Sequence, residues 1–152
     1  FYWDDNYPDS HLLIDGEWLR SQYDPDFLLI HPMGVDDAGH KFGLDSRQYR
    51  NQARRMDSLL ADLLPQWLAE GYQVVITSDH GMNNDLSHGG TLPEERAVPL
   101  WLFGDAFIER WPDGVAIAQT QLCALMADLL GIPHDKPAAP PLLKAAFMRE
   151  VH

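Results

Sequence analysis

Three short apolar runs constrain the fold more than anything else in the chain: DFLLIH at 26–31, QVVITS at 73–78 and VPLWLF at 98–103. Each is too short for an ordinary helix and too continuously apolar for a strand with one wet face. Runs of this kind belong to strands covered on both sides. Between the first two lies a segment with apolar residues at helical spacing: Tyr49, Ala53, Met56, Leu60, Leu63, Leu64, Trp67 and Leu68. The stripe keeps its phase through Pro65, which predicts one helix, kinked or briefly broken there. Asp45 or Ser46 can cap its start, and Gly71 ends it. Further helices are expected over 12–22 and over 119–131, the latter stopped by Gly131 and Pro133. The alternation predicts an α/β fold, a mostly parallel sheet flanked by helices, with the first two strands joined by a right-handed helical crossover.

With 152 residues, 45% of them hydrophobic, the chain is expected to form a single domain with a real core. It is expected to trail into a Pro-rich tail at 135–152, whose last residues, 140–152, suggest a short helix. The chain begins at Phe1 without a Met, which reads as an excised or processed piece. No apolar run approaches the roughly 18 residues that a membrane-spanning helix needs. The formal charge of −12, from 23 acids against 11 Lys plus Arg, argues against nucleic acid or an anionic membrane as partner. Cys123, the one cysteine, sits in an apolar run and is expected to pack as a small hydrophobe.

Chemistry gathers where the first two strands should end. In open α/β sheets, ligands bind beyond the carboxyl ends of the strands. After DFLLIH comes Asp36-Asp37-Ala38-Gly39-His40, in a Gly/Asp-rich loop; after QVVITS comes Asp79-His80-Gly81, and then His88-Gly89-Gly90. If the chain turns helically after the first strand, Asp36 and His40 share a face. Asp79 and His80 can serve one site only if the chain has left the strand, a turn that Gly81 permits. Any one of these side chains alone would be an ordinary cap or surface group; their joint placement after two apolar runs is what points to a site. Carboxylate and neutral imidazole are the ligands that zinc and similar ions prefer. Five candidates, Asp36, His40, Asp79, His80 and His88, exceed the usual four of one closed site. They suit two neighbouring divalent ions, zinc first and manganese or magnesium next, as in sites that act on phosphate esters. His31, before Pro32, could line the site; Asp37 could support it from outside; Asp85 could approach it. Glu94, Glu95 and Arg96 read as a solvated loop, and Trp67 and Trp101 as core.

The elements D-x-x-G-H at 36–40, S-D-H-G-M at 78–82, H-G-G at 88–90 and the V-P-L-W-L-F-G run at 98–104 resemble the alkaline phosphatase superfamily, in particular its type I phosphodiesterase/nucleotide pyrophosphatase branch. The resemblance covers about residues 10–133 and would make the chain the C-terminal part of such a domain. It implies that Asp36, His40 and His88 hold one zinc, and Asp79 and His80 the other. It implies a Thr or Ser nucleophile and a further Asp ligand, which nothing in residues 1–35 resembles, so the N-terminal half of the domain is expected to lie outside these residues. The implied activity is metal-dependent hydrolysis of a phosphodiester or pyrophosphate in a small phosphate ester or nucleotide. The short gap from Asp79 to His88 looks more like the glycolipid phosphoethanolamine transferases, which keeps that transfer, a phosphomutase reaction, or non-catalytic metal binding as alternatives.

Overall fold

A computed structural model of the chain describes residues 7–110, 115–138, 141–145 and 147. In order they form α1 (Asp9–Tyr23), α2 (Gly34–Phe42), α3 (Arg47–Ala69), β1 (Val74–Thr77), the one-turn α4 (Pro93–Arg96), β2 (Leu100–Phe103) and, after a 3-10 turn at Gln119–Gln121, α5 (Leu122–Leu129). The described residues fall into two compact units, one drawn from Phe1–Gln66 and Thr77–Pro99, the other from Trp67–Ile76 and Leu100–His152. No helix among the described residues is long and apolar enough to cross a membrane.

The sheet is smaller than the sequence predicts: β1 and β2 pair with each other and make a sheet of two strands. The run at 26–31 lies outside it, so the expected parallel pair with a helical crossover is not formed. Its residues are not buried on both sides either. Phe27 and Leu29 are exposed, at 54% and 73%, while Leu28 and Ile30 turn inward. That alternation is strand-like, but a strand exists only through a ladder partner, and the described residues supply none to this run. Ile30 instead packs against α1, where a Cβ on Gly16 would come within 2.7 Å of its Cδ1.

The long helix is one element, as its in-phase stripe implies, and it runs through Pro65 without the break allowed for there. Ser46 is its cap, with its Oγ accepting from the Tyr49 N–H at 3.0 Å. Gly71 ends it with φ +90°; its N–H bonds to the Leu68 carbonyl and that of Tyr72 to the Trp67 carbonyl, the paired closure that needs a left-handed residue. Gly131, at φ +64°, closes α5 in the same way through Asp128 and Ala127.

In the second unit Phe107, Leu122, Leu125 and Leu142 form a core packed by Val75, Leu100 and Leu102. Part of the Pro-rich tail is built into it: Leu143 bridges Phe107 in antiparallel fashion, and Lys144 donates to the Ala106 carbonyl at 2.8 Å. The expected terminal helix falls partly on residues 140, 146 and 148–152, outside the described residues. Two packing expectations fail. Trp101 is half exposed because it points from the outer face of β2, and Cys123 is exposed because it lies on the wet side of α5, between the buried Leu122 and Ala124.

Two substitutions test these roles. Gly71→Ala meets nothing within 4 Å, so its cost is conformational alone, about 1–2 kcal/mol for a left-handed Ala. Leu125→Ala opens a cavity at a site with no exposure and costs about 2–5 kcal/mol. Urea unfolding should rank the second as the larger loss.

Candidate metal centre

The segment read as a Gly/Asp loop is helical, and α2 places Asp36 and His40 one turn apart on one face. His40 Nε2 lies 3.5 Å from Asp36 Oδ2. The start of the helix is pinned from a distance. Asp9 accepts the Gly34 N–H at 3.1 Å and the Gln52 side-chain amide at 2.9 Å, satisfying an orphan donor at the helix N-terminus. Asp37, one position round, faces Lys41 at 2.6 Å and takes no part in the cluster.

The glycine of D-x-x-G-H has a specific partner. A Cβ on Gly39 would stand 2.5 Å from Cε of Met82, which is itself almost wholly buried. The Met of S-D-H-G-M thus rests where the helix has no side chain, and this contact brings the two motifs together. Gly81 serves packing too. Its φ is not in the left-handed region, contrary to the expected turn role; a Cβ there would collide with the Glu94 carbonyl oxygen.

Beyond Met82 the loop is held by a buried polar pair that the sequence did not reveal. Glu95, 4% exposed, accepts from the Asn83 amide at 2.5 Å and from the Leu92 N–H at 3.0 Å. Its backbone carbonyl takes the Gly81 N–H at 2.7 Å. Asn83 Oδ1 in turn accepts the N–H groups of Asp85 and Ser87. Glu95 is therefore structural and not part of a solvated loop, while Asp85 contributes only its backbone to this knot. The folded loop carries Leu86 at φ +59°, and the Leu86 carbonyl accepts from His40 Nδ1 at 2.8 Å. His80 makes the matching bond, Nδ1 to the Gly81 carbonyl at 2.8 Å. A carbonyl can only accept, so each Nδ1 carries a proton, and Nε2 is the ring atom whose lone pair a metal can take.

Those lone pairs converge. His80 and His88 Nε2 lie 3.8 and 3.7 Å from Asp36 Oδ1, and the Nε2 atoms of His40 and His88 are 3.1 Å apart. The His80 and His88 rings stack at 3.5 Å. Asp36 Oδ1 is buried and has no hydrogen-bond donor, a costly state for a carboxylate oxygen unless a cation completes it. The separations are long for hydrogen bonds but close to the roughly 3.3 Å between two ligands of a tetrahedral ion with bonds of about 2.0–2.1 Å. One oxygen of Asp36 and one nitrogen each of His80 and His88 lie within 4.8 Å of one another. The donor set therefore fits a divalent ion. Asp79 stands at the open side, its Oδ1 3.6 Å from His80 Nε2. His80 is thus next to both Asp36 and Asp79, between the two groups that the sequence separates.

Tyr49, seen in the sequence only as part of an apolar stripe, belongs to the surroundings. Burial, and after it the Asp36 carboxylate, push its phenol above the ordinary value, so it remains a neutral group there.

Glu95→Ala would leave the Asn83 amide and the Leu92 N–H without their acceptor, at a cost of about 1–3 kcal/mol. The expected outcome is a lowered melting temperature together with weaker zinc binding, because the loop that orients His40 and His88 loosens. Thermal unfolding with and without zinc measures both.

Comparisons with known proteins identify the family of the chain. The family model described as type I phosphodiesterase / nucleotide pyrophosphatase matches residues 4–90, a span containing all five ligand candidates. The chain is 32% identical to the human GPI ethanolamine phosphate transferase 2, catalytic subunit, over 91% of its own length and 15% of that protein. It is 28% identical to GPI ethanolamine phosphate transferase 3 of Schizosaccharomyces pombe, over 71% of the chain and 12% of the relative. Human GPI ethanolamine phosphate transferase 1 is 27% identical over 68% and 14%. The chain thus spans only about a seventh of the length of these relatives. No solved structure matches it. The chain belongs to the type I phosphodiesterase / nucleotide pyrophosphatase family, within the alkaline phosphatase superfamily.

Proposed function

We propose that this chain is the metal-holding part of a phosphoethanolamine transferase that acts on a glycolipid of the glycosylphosphatidylinositol type. The observation that carries the reading is the alignment of nine-tenths of the chain with a GPI ethanolamine phosphate transferase, across a site whose buried Asp36 oxygen awaits a cation. The hydrolase reading drawn from the family at large gives way to the alternative that the short Asp79–His88 gap already suggests. Transfer and hydrolysis break the same P–O bond and differ in which oxygen takes the phosphoryl group, a glycan hydroxyl or water.

In this proposal Asp36, His40, Asp79, His80 and His88 hold two divalent ions, zinc by the preference of the donor set. Such ions lower the pKa of an attacking hydroxyl and neutralise charge on the phosphoryl oxygens. The chain's own part is placement. The Leu86 and Gly81 carbonyls keep His40 and His80 in the ligating tautomer, and Met82 on Gly39 forms a dry floor beneath them. The hydroxyl nucleophile that the family implies is expected outside these residues.

Intact protein, given a donor labelled in its ethanolamine phosphate and a glycosylphosphatidylinositol acceptor, should move label to the acceptor. Asp36→Ala should reduce that transfer by at least about 100-fold, and Asp37→Ala should leave it within about twofold, since its partner is Lys41. Label released as free phosphoethanolamine, regardless of acceptor, would restore the hydrolase.

A further inference from the structure

His40 and His88 come from separate elements, and their Nε2 atoms meet at 3.1 Å. The loop that carries His88 is anchored by Glu95 on the side of α4, and none of those bonds reaches α2. Its attachment to the helix that carries His40 includes a second link, at the corner between α2 and α3. There Asn84 Oδ1 accepts the Asp45 N–H at 3.0 Å, and Asn84 Nδ2 donates to Asp45 Oδ2 at 2.6 Å. The neighbouring Leu44 N–H reaches the Asn83 carbonyl at 3.4 Å. The two Asn84 bonds close a ring and fix the orientation of the amide, because a backbone N–H needs its oxygen and a carboxylate needs its NH2.

The corner is shaped for this contact. Gly43 caps α2 at φ +81°, and a Cβ there would stand 3.4 Å from Asn84 Oδ1 and 3.5 Å from Leu86 Cδ2. Asp45 is held in turn by Arg50, whose guanidinium donates to its carbonyl at 2.7 Å. One isolated bond at an exposed position contributes little, because water competes for each partner. A closed pair that includes a carboxylate and starts from an anchored corner does more: it sets a distance. His40 Nδ1 donates to the Leu86 carbonyl at 2.8 Å, so the loop is tied to α2 close to the ligands by that bond and behind them by the Asn84–Asp45 pair.

We propose that Asn84 and Asp45 are a positioning pair that sets the separation of His40 and His88, and with it the affinity of the ion that Asp36, His40 and His88 share. The assignment rests on the metal reading above and adds to it two residues that touch no ion. Asp79 and His80 precede Met82, whose packing against Gly39 holds them to α2 without the corner. The pair therefore acts on one ion and spares the other. Partners that orient a ligand directly change metal affinity by about 10–100-fold; this pair stands one step further out and has a smaller effect.

The test exchanges the two side chains in intact protein. Asn84→Asp alone sets two carboxylates against each other, whereas Asp45→Asn together with Asn84→Asp rebuilds both bonds with amide and carboxylate exchanged. Zinc affinity is measured by competition with a chelator, and cobalt(II) in place of zinc reports ligand geometry through its visible absorption. Asn84→Asp should weaken one ion at least about fivefold and shift its cobalt band, and leave the other within about twofold. The weakened ion should be the one that His40→Ala removes. The exchanged protein should recover both affinity and band to within about twofold of wild type. Unchanged affinity and spectrum in Asn84→Asp would overturn the assignment, and so would a loss that persists in the exchanged protein, since it would arise from residue 84 alone. A wild type that holds one ion would overturn the two-ion reading and leave the assignment standing, provided that Asn84→Asp weakens that ion. A wild type that binds none would overturn the metal reading and the assignment with it.

Discussion

A buried carboxylate with two acceptor oxygens, both in use, holds the functional loop in place. Glu95 binds the Asn83 amide and the Leu92 N–H through its side chain, and the Gly81 N–H through its backbone. Those three anchors fix both ends of the segment that carries His80 and His88. A charge taken from water at this depth is tolerated because each carboxylate oxygen has a donor. Asp36 presents the opposite case. Its Oδ1 is equally shut away but has no donor, and the Nε2 atoms of His80 and His88 lie 3.8 and 3.7 Å from it. One acid is satisfied by the fold, and the other is left for a cation.

The glycines show the same economy of space. Gly39 and Gly81 are required by what lies against them, a methionine side chain in one case and a backbone carbonyl in the other. Gly71 and Gly131 are required by their own φ. The distinction matters for substitution. An alanine at Gly71 strains one residue locally, whereas an alanine at Gly39 pushes α2 away from the Met82 segment, and one at Gly81 pushes that segment away from the Glu94 carbonyl. Motif glycines in this chain hold the ligands in register without touching an ion.

Much of this was legible in the residues. Helical periodicity carried α3 through Pro65, and glycine at the end of a stripe located both helix stops. The Asp/His groups were found because carboxylates and imidazoles seldom gather by chance after two apolar runs, and all five lie in one unit. The failures share a cause. The 26–31 run lacks a ladder, since a partner strand is a tertiary fact that an apolar run cannot announce. Asn83 and Glu95 escaped because a Glu in a charged stretch looks solvated until its burial is known. The helix at 34–42 was hidden by Gly34, Asp36, Asp37 and Gly39, residues of poor helical propensity. The start of this helix is held by Asp9, 25 positions away, and local sequence gives no sign of such a cap.

The chain's charge adds a last constraint. A net −12, with Asp36 and Asp79 at the site, repels a phosphodiester, and Lys41, the cation closest in sequence to His40, is engaged by Asp37. Two divalent ions carry twice the charge of the two aspartates and reverse the sign of the local field. On the proposed reading, metal therefore decides whether the substrate approaches at all, as well as how it reacts. Loss of the ion at Asp79 and His80 should then weaken substrate binding along with the chemical step. In kinetic terms KM should rise as kcat falls when Asp79 is removed, whereas an ion that served the chemical step alone would lower kcat and leave KM unchanged.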